Sequence, residues 1–404
     1  QLHDEKSISS QIIDYLSSET YSKDRLSKRL DELNNMLKEK YCLNSDFIRL
    51  ERLGSGVFGE VHRVFDSRNR RYYALKQCLN TEPEPKKFDT LAINEIKSAL
   101  SLIKINDSRL LQIYQINYKP GESLSILMDY GHGTLHDLLC FLRKYLIFYE
   151  NLYEDIHCNL EEQLEILQQN SFCHRDIKPE NIIIRYDKFV LCDYGLAQSF
   201  RNKMQVTPIA GTLEYLPPEI RDAYLQGQKA YPMDLAEVDN YALKKTFGII
   251  KKTLDNCNLR VSKEEFNLKF QADVLLKIYC SISHEEKKKL LENLSGSYLL
   301  DELKKLLENE IHRLDNQGTG NDSQSLLNEY NLRKSLGYIN QLGGLYDKAL
   351  EHYYSALELL EKKQDLNEPI FEDEEIASIY LAMANAFKSQ GKNKKALEYK
   401  FLTQ

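Results

Sequence analysis

Three side chains with oxygen atoms suited to a metal ion lie near the ends of two short apolar stretches. Asp176 and Asn181 are five positions apart in the segment His-Arg-Asp-Ile-Lys-Pro-Glu-Asn (residues 174–181), and Asp193 follows twelve positions after Asn181. Pro179 prevents a helix here, so one irregular loop can direct Asp176 and Asn181 at one small volume. Carboxylate and amide oxygens are ligands that suit Mg²⁺. The pattern therefore predicts a metal and phosphate site.

Two strands are expected to position these groups. The apolar residues 182–184 predict a buried strand that leaves the loop, and residues 189–192 predict a strand that returns to it. Asp193 follows the returning strand, so pairing of the two strands brings its carboxylate to the loop. We interpret Cys192 as a small buried hydrophobic residue, and a reactive thiol is the alternative.

At these residues the chain resembles the protein kinase family. Residues 174–181 resemble the catalytic loop of that family, and Asp193-Tyr194-Gly195 resembles its metal-binding triplet, with Tyr194 in place of the usual Phe. His-Arg-Asp alone would indicate only a capped loop with a surface ion pair, whereas eight matching positions make the motif highly specific. The resemblance implies ATP and Mg²⁺ as cofactors and proteins as substrates.

The resemblance also assigns a role to each polar residue of the loop. Asp176 orients the attacking hydroxyl and accepts its proton, and Lys178 neutralises the transferring phosphoryl group. Asn181 and Asp193 hold Mg²⁺. The position of Lys178 and the later pair Gly211-Thr212 resemble serine/threonine kinases rather than tyrosine kinases.

A glycine-rich turn precedes these motifs. Strands are predicted at residues 47–53, 60–65 and 71–79, and the turn after the first reads Gly-Ser-Gly-Val-Phe-Gly (residues 54–59). This spacing also occurs in dinucleotide-binding folds, but those need a helix after the turn, whereas a strand continues here. We therefore expect a hairpin whose backbone approaches nucleotide phosphates. The residues assigned to nucleotide binding on this basis are Gly54, Ser55, Gly56, Gly59 and Val61.

A lysine and a glutamate are expected to complete the phosphate site. Ala74 and Lys76 alternate onto one face of the third strand, so Ala74 can line an adenine pocket while Lys76 reaches the phosphates. Glu95 lies in a predicted helix, within an apolar stripe that runs from Leu91 to Leu102. An isolated glutamate there would extend its carboxylate to water. With Lys76 available we expect an ion pair, which matches the family's pair of a lysine and a helix glutamate.

Residues 125–131 resemble the segment that joins the two lobes of a kinase. On that resemblance Met128 lies behind the adenine base, and the backbone from Asp129 to Gly131 hydrogen-bonds to the edge of the base. Met128 is equally compatible with an ordinary core position, and the two roles overlap.

Arg175, within the loop, and Asp239, outside it, are expected to influence the loop. An unpaired arginine beside the catalytic aspartate is a natural phosphate receptor, which suggests control by phosphorylation within residues 193–219. Thr207 and Ser199 are the candidate acceptors. Asp239 stands where the family braces the backbone of the catalytic loop.

The similarity to the kinase family is weaker after the catalytic segments. Pro217 and Lys244 stand where the family usually has Ala and Gly, and no arginine partner for Glu219 can be identified. These departures and Tyr194 motivate an alternative function, a pseudokinase or scaffold that binds nucleotide and partner proteins without efficient transfer. A small-molecule or lipid kinase is a third interpretation.

The C-terminal part of the chain has a repeating pattern. Gly337, Gly344 and Tyr353 follow the spacing of tetratricopeptide repeats, and Gly391 repeats Gly344 after 47 positions. A generic helical hairpin is the alternative. Such repeats usually bind a partner protein, which we expect here. The predicted regions are a helical extension (1–45), a kinase domain (46–313), a linker rich in Gly, Asn, Asp and Ser (314–325) and about two helical repeats (326–404).

Composition excludes several classes of protein. The net charge is −7 without a basic cluster, so no nucleic-acid partner is expected. No apolar run approaches the roughly 20 residues that span a bilayer, so no membrane association is expected. Eight cysteines without a Cys-x-x-Cys pair favour reduced thiols and a cytoplasmic location. Residue 1 is Gln rather than Met, which leaves a fragment as one interpretation.

The expected fold class is α+β, a bilobal kinase fold with a small β-rich lobe and a large helical lobe, followed by an all-α repeat region. The expected function is that of an ATP- and Mg²⁺-dependent protein serine/threonine kinase with a recruiting or regulatory module.

Overall fold

The computed structural model describes residues 5–17, 21–44, 46–55, 59–80, 85–185, 188–200, 204–281, 284–317, 323–364 and 373–402. The chain divides into two units, Gln1–Asn267 and Leu268–Gln404. Each unit has a hydrophobic core of its own.

Helices dominate the described ranges. The α-helices are α1 (Glu5–Leu16), α2 (Lys23–Tyr41), α3 (Pro85–Ile105), α4 (Leu135–Tyr145), α5 (Leu152–Gln169), α6 (Pro218–Leu225), α7 (Leu235–Leu254), α8 (Lys263–Ser281), α9 (His284–Leu294), α10 (Tyr298–Gln317), α11 (Ser323–Leu342), α12 (Tyr346–Gln364), α13 (Asp373–Ser389) and α14 (Asn393–Phe401). Single 3₁₀ turns lie at Pro179–Asn181, Tyr194–Leu196 and Leu213–Tyr215. None of the helices in these ranges is long and apolar enough to cross a membrane.

All the strands in the described ranges belong to the first unit. They are β1 (Ile48–Ser55), β2 (Glu60–Asp66), β3 (Arg71–Leu79), β4 (Ile113–Lys119), β5 (Ser123–Asp129), β6 (Ile147–Phe148), β7 (Phe172–Cys173), β8 (Ile182–Arg185), β9 (Lys188–Leu191), β10 (Gln198–Ser199), β11 (Met204–Pro208), β12 (Ala230–Asp234) and β13 (Leu259–Arg260).

A five-stranded antiparallel sheet in the order β1-β2-β3-β5-β4 forms the small lobe together with α3. Its register places Ala74 opposite Met128, and Lys76 opposite both Val61 and Ile126. Side chains directly opposite each other lie on the same face of a sheet. The residues expected to meet adenine and phosphates therefore share one face.

Helices α1 and α2 belong to the small lobe as well. Leu26, Leu30, Leu33 and Leu37 of α2 are spaced along one helical face and are each at most 1% exposed. Helix α2 packs on the edge strand β4, and α1 packs on α3. The helical spacing within residues 1–45 thus corresponds to two helices with buried apolar faces.

The large lobe is formed by α4 to α7 and several short strand pairs. Strands β8 and β9 pair from Ile182 opposite Leu191 to Arg185 opposite Lys188, as the sequence predicts for the strands beside the polar loop. Helix α5 packs on β9 and on α7. The predicted α+β fold, with a β-rich small lobe, a helical large lobe and a helical region after them, is confirmed.

The second unit contains two helix pairs with the same turn. Gly344 between α11 and α12, and Gly391 between α13 and α14, both have a φ of 74°, which favours glycine. The amide that follows each glycine donates to the carbonyl four residues before that glycine, at 2.8 Å in the first turn and 2.9 Å in the second. A Cβ at Gly337 would lie 2.4 Å from the ring of Tyr353, so only glycine allows this approach of α11 and α12. The two helix pairs therefore share the same glycine turn.

The boundary between the two units lies within α8, before the linker predicted at 314–325. The units divide between residues 267 and 268, and α10 remains helical to Gln317. Leu303 and Leu307 of α10 share one core cluster with Leu336 of α11. Local composition does not reveal this packing, because it depends on an apolar face of α10 that meets another helix. Residues 318–322 of the predicted linker lie outside the described ranges.

Candidate active site

Asp176 lies at the centre of a hydrogen-bonded group. One carboxylate oxygen accepts bonds from the amide of Thr212 at 2.9 Å and from its hydroxyl at 2.7 Å. The other lies 2.9 Å from both the ammonium of Lys178 and the side-chain amide of Asn181. Burial raises the pKa of Asp176, but the bonds from Lys178 and Thr212 outweigh this and hold the pKa below its usual value. Asp176 is therefore ionised at neutral pH, with its orientation fixed.

The backbone of the loop is held by Asp239 of α7. The two oxygens of this fully buried carboxylate accept bonds from the amides of His174 and Arg175, each at 2.7 Å. Arg175 has a φ of 69°, which is unfavourable for a residue with a side chain. The prediction that Asp239 braces the loop is confirmed. A bond of 2.9 Å between His174 Nε2 and the carbonyl of Cys192 ties the loop to the chain after β9.

Lys76 connects strand β3 of the small lobe to Asp193, the first residue of the triplet Asp193-Tyr194-Gly195. Its ammonium lies 2.6 Å from Glu95 of α3 and 3.1 Å from Asp193. Burial lowers the pKa of Lys76, but the two carboxylates outweigh this, so the net shift of the pKa is upward and the lysine stays charged. The predicted pairing of Lys76 with Glu95 is present in the structure.

The surroundings of Glu95 differ from the predicted apolar stripe. Leu91, one turn before Glu95, is 42% exposed, whereas Ala92 and Ile96 are fully buried. Ala99 and Leu102 of the predicted stripe are each 4% exposed, so the departure is confined to the turn before Glu95, where Ala92 rather than Leu91 is buried.

The triplet itself is shaped by close contacts. A Cβ at Gly195 would lie 2.7 Å from a carboxylate oxygen of Glu95, so glycine is required at this position. The Tyr194 ring is buried, 4.6 Å from the His174 ring and 6.2 Å from the Phe172 ring between centroids, and its hydroxyl has no hydrogen-bond partner among the described residues.

Burial raises the pKa of Cys192 to about 12, which favours a buried thiol over a reactive one.

Asn181 and Asp193 have atoms suited to a divalent cation. The side-chain nitrogen of Asn181 donates to the backbone carbonyl and the carboxylate of Asp176, so its side-chain oxygen is the atom suited to a cation. The Asp193 side chain is 54% exposed. In the described part of the chain, no group of three or more His, Cys, Asp or Glu side chains could hold a metal by itself. The donors present fit Mg²⁺, which is usually bound by one or two protein groups together with substrate phosphates.

The glycine-rich hairpin is described in part. A Cβ at Gly59 would lie 2.4 Å from the carbonyl oxygen of Gln77, so the turn needs glycine there, whereas Gly54 faces open space. Gly54 and Ser55 pair with Val61 and Glu60 as the end of β1. Gly56 and the side chain of Ser55 lie outside what the structure describes.

Contacts within the protein hold the segment between the two lobes, residues 129–131, in place. A Cβ at Gly131 would lie 2.7 Å from that of Ile183 in β8. Asp129 accepts bonds from the Gln112 amide at 2.9 Å and the Tyr114 hydroxyl at 2.8 Å and forms an ion pair with Arg185, and its own amide donates to Gln112. The amide and the carboxylate of Asp129 are therefore both engaged within the protein.

Arg175 is paired within the chain, contrary to the expectation of an unpaired arginine. Its guanidinium donates to the Gln198 side chain at 2.7 Å and to the Pro208 carbonyl at 2.5 Å. Thr207 lies in β11 opposite Tyr231 and is 2% exposed, so a modifying enzyme could not reach it in this conformation. Ser199 is exposed.

Arg63 and Glu51 form a charged pair that the sequence analysis did not predict, and Arg63 lies on the sheet face that carries Ala74. Arg63 lies opposite Ala74, and its guanidinium is 2.8 Å from Glu51; both side chains are buried. The guanidinium also lies 4.7 Å from the ring centroid of Tyr72 and 5.7 Å from that of Tyr130. The alternation from Val61 to Arg63 is the signal that could have placed Arg63 on this face. The bonds from Thr212 to Asp176 were missed too, because no spacing rule connects residues so far apart in sequence.

Comparison with known proteins identifies related sequences over the first part of the chain. The family described as "Protein kinase domain" matches residues 47–317, about two thirds of the 404 residues. The cAMP-dependent protein kinase catalytic subunit of Schizosaccharomyces pombe is 29% identical over 195 residues, which cover 48% of this chain and 36% of that protein. A probable serine/threonine-protein kinase of Dictyostelium discoideum is 32% identical over 180 residues, covering 44% and 38%. The serine/threonine-protein kinase SCH9 of Saccharomyces cerevisiae is 29% identical over 184 residues, covering 45% and 22%. The matched part thus spans well under half the length of these relatives.

Proposed function

The chain belongs to the protein kinase domain family, and we propose that it is a protein serine/threonine kinase that uses ATP and Mg²⁺. The observation that carries the proposal is the arrangement around Asp176, whose ionised carboxylate is fixed by Lys178, Asn181 and Thr212. The serine/threonine names of the relatives support the class of acceptor.

In this mechanism Asp176 orients the hydroxyl of the protein substrate and accepts its proton. Because the pKa of Asp176 is lowered, it is a weak base, so its main contribution is to position the attacking oxygen. Lys178, at 2.9 Å from Asp176, places a positive charge where the transferring group must pass. Such positioning and charge neutralisation are what phosphoryl transfer requires.

Lys76 binds the nucleotide phosphates in the proposed complex. Glu95 keeps its ammonium charged and limits the directions in which it can point. Asn181 and Asp193 would hold Mg²⁺, and the bound ion would neutralise charge on the phosphates. The adenine base would lie against the sheet face that carries Ala74, with Val61, Met128, the Asp129 carbonyl and the Gly131 backbone around it, and below the backbone of residues 54–59.

Thr212 supports the serine/threonine class. Its hydroxyl accepts a bond from Lys178 at 2.8 Å and donates to Asp176 at 2.7 Å, so the segment that follows the metal-binding triplet is tied to the loop that performs the chemistry. This is the pair Gly211-Thr212 that the sequence associates with serine/threonine kinases.

A scaffold without efficient transfer is the second candidate. The unpartnered hydroxyl of buried Tyr194 favours it, as does Glu219, which is exposed and forms no ion pair within the described ranges. Neither feature removes a group that the proposed chemistry needs.

The nature of the acceptor is tested with the full chain, γ-labelled ATP, Mg²⁺ and a mixture of protein acceptors. Mass spectrometry would identify the labelled residues, and we expect phosphoserine and phosphothreonine. Label on tyrosine, on small molecules or on lipids alone would contradict the serine/threonine assignment. Nucleotide binding by a folded chain without transfer would support the scaffold.

The remaining assignments extend the proposal. A kinase domain close to residues 46–313 agrees in extent with the family match at 47–317. The helix pairs within residues 326–404 are proposed to be tetratricopeptide-like repeats that bind a protein partner, supported by the repeated turn at Gly344 and Gly391. A cytoplasmic location is proposed from the cysteine pattern.

A further inference from the structure

Helix α3 carries Glu95, and its position therefore decides whether Lys76 has its partner. Helix α3 packs more extensively against α1 than against any other element, and next against the 3₁₀ turn Tyr194–Leu196 of the metal-binding triplet. One helix thus connects the N-terminal extension to the two carboxylates that bind Lys76.

Helices α1 and α3 are in contact, and both have buried apolar side chains. Ile12 and Leu16 of α1 are buried, as are Ala92, Ile96 and Ala99 of α3. Helices in contact pack their side chains against each other, and close packing in a protein interior resists displacement. Helix α1 therefore restricts tilting of α3 away from the sheet.

A polar junction fixes the other end of α3. Asp89 is 3% exposed and forms an ion pair with Lys23 of α2. Its second oxygen accepts bonds from the Tyr118 hydroxyl at 2.6 Å and the Gly121 amide at 2.7 Å. Burial raises the pKa of Asp89, but Lys23, Tyr118 and Gly121 outweigh this and lower it, so the carboxylate is charged and needs its cation.

Side chains of helix α2 form hydrogen bonds with the backbone of strand β4. The Asn34 side chain donates to the carbonyl of Ile116 at 2.8 Å and accepts from its amide at 2.9 Å, which pairs open groups of the edge strand β4. Ser27 donates to the Tyr118 carbonyl at 3.1 Å. Lys23 thus extends from a helix that is fixed to β4, and it can fix Asp89 in turn.

We propose that α1 and α2 form a built-in positioning element for the active site, and that Asp89 is the positioning residue through which α2 holds α3. Residues 5–41 precede the part of the chain that matches the kinase family at 47–317, so this element is an addition to the family's domain. Asp89 and Glu95 are six residues apart on one helix, about 9 Å along its axis. A shift of α3 at Asp89 therefore moves Glu95 relative to Lys76, whose bond of 2.6 Å tolerates little displacement.

The inference rests on the proposed phosphoryl transfer, and its test separates the two. Lys23→Met, Lys23→Arg and Lys28→Met variants of the 404-residue chain are compared with the unmodified chain; Lys28 is exposed on the same helix and serves as the matched control. The readouts are kcat and KM for ATP, measured well below the melting temperature, and hydrogen exchange of the α3 amides.

For Lys23→Met we expect kcat/KM for ATP to fall about tenfold and exchange in α3 to accelerate, because the buried carboxylate loses its cation. Lys23→Arg should retain most activity, and Lys28→Met should match the unmodified chain. If Lys23→Met folds poorly, Asp89→Asn is the second variant, since an amide oxygen can still accept from Tyr118 and Gly121 while the ion pair is lost.

A lower melting temperature with unchanged kcat, KM and α3 exchange would show a purely structural role and overturn the inference. If the unmodified chain transfers no phosphate, the proposed function fails, and the exchange of α3 in Lys23→Met still decides the inference.

Discussion

Thr212 and Asp176 are joined by two hydrogen bonds to the same carboxylate oxygen, one from the hydroxyl at 2.7 Å and one from the amide at 2.9 Å. The hydroxyl also accepts a bond from Lys178 at 2.8 Å. The orientation of the carboxylate therefore depends on a residue that lies outside the loop and follows the metal-binding triplet.

Replacing Thr212 with valine, which keeps its shape, should lower kcat about tenfold or more, because Asp176 loses an orienting donor and Lys178 loses an acceptor. KM for ATP should change little, since no contact of Thr212 is with the proposed nucleotide site. Steady-state kinetics with a peptide acceptor would measure both constants. Thr212→Ser should recover most of the loss, and equal activity of Thr212→Val and the unmodified chain would refute the role.

The pairing of Arg175 with Gln198 and Pro208 predicts activity without phosphorylation of the segment 193–219. Phosphatase-treated protein, verified by mass spectrometry, should keep its activity within about twofold, because neutral acceptors already satisfy the guanidinium. Gln198→Ala should reduce kcat, while Ser199→Ala should not. Activity that arises only after modification of Ser199 or Thr207 would contradict this prediction.

The lowered pKa of Asp176 predicts how its contribution to stability varies with pH. A carboxyl whose pKa is lower in the folded state stabilises the fold above its unfolded pKa of about 3.9, and the contribution is lost as pH falls through the folded value. Urea unfolding of the unmodified chain and of Asp176→Asn should therefore differ more at pH 7 than near pH 3. A difference that does not shrink as pH falls would mean that the contacts of Asp176 do not favour its ionised form.

The Tyr194 hydroxyl is buried without a partner among the described residues, which predicts that Tyr194→Phe stabilises the first unit. Removing an unsatisfied hydroxyl should raise the free energy of unfolding by about 1 kcal/mol, a rise of about 2–4 °C in melting temperature for a unit of this size. Tyr224→Phe, at an exposed position, is the control. A loss of stability in Tyr194→Phe would reveal a partner for the hydroxyl.

Local spacing was sufficient to predict the groups of the active site that follow a motif. The segment 174–181, Lys76, Glu95 and the triplet at Asp193 each lie in a short pattern that resembles a kinase motif, and the structure brings all of them together. The hairpin β8–β9 followed from two apolar runs. These features depend on residues that are neighbours in sequence or in one strand pair.

The missed features depend on contacts between distant elements. Asp89 and Lys23 are 66 positions apart, and Glu51 and Arg63 meet only once β1 and β2 are paired. The same reason applies to α10, which lies before the expected linker and shares a core cluster with α11. No local pattern specifies which helix a given apolar face will meet.

The most direct test of phosphoryl transfer by this chain compares the incorporation of label from γ-labelled ATP by the unmodified chain, Asp176→Asn and Asp222→Asn, each with and without Mg²⁺. Asp222 is an exposed aspartate on α6 and is the matched control. We expect Mg²⁺-dependent transfer by the unmodified chain and by Asp222→Asn, and a loss of about 100-fold or more in Asp176→Asn. Absence of transfer by the folded, unmodified chain, or equal transfer by Asp176→Asn, would contradict the assignment of this site as a kinase active site.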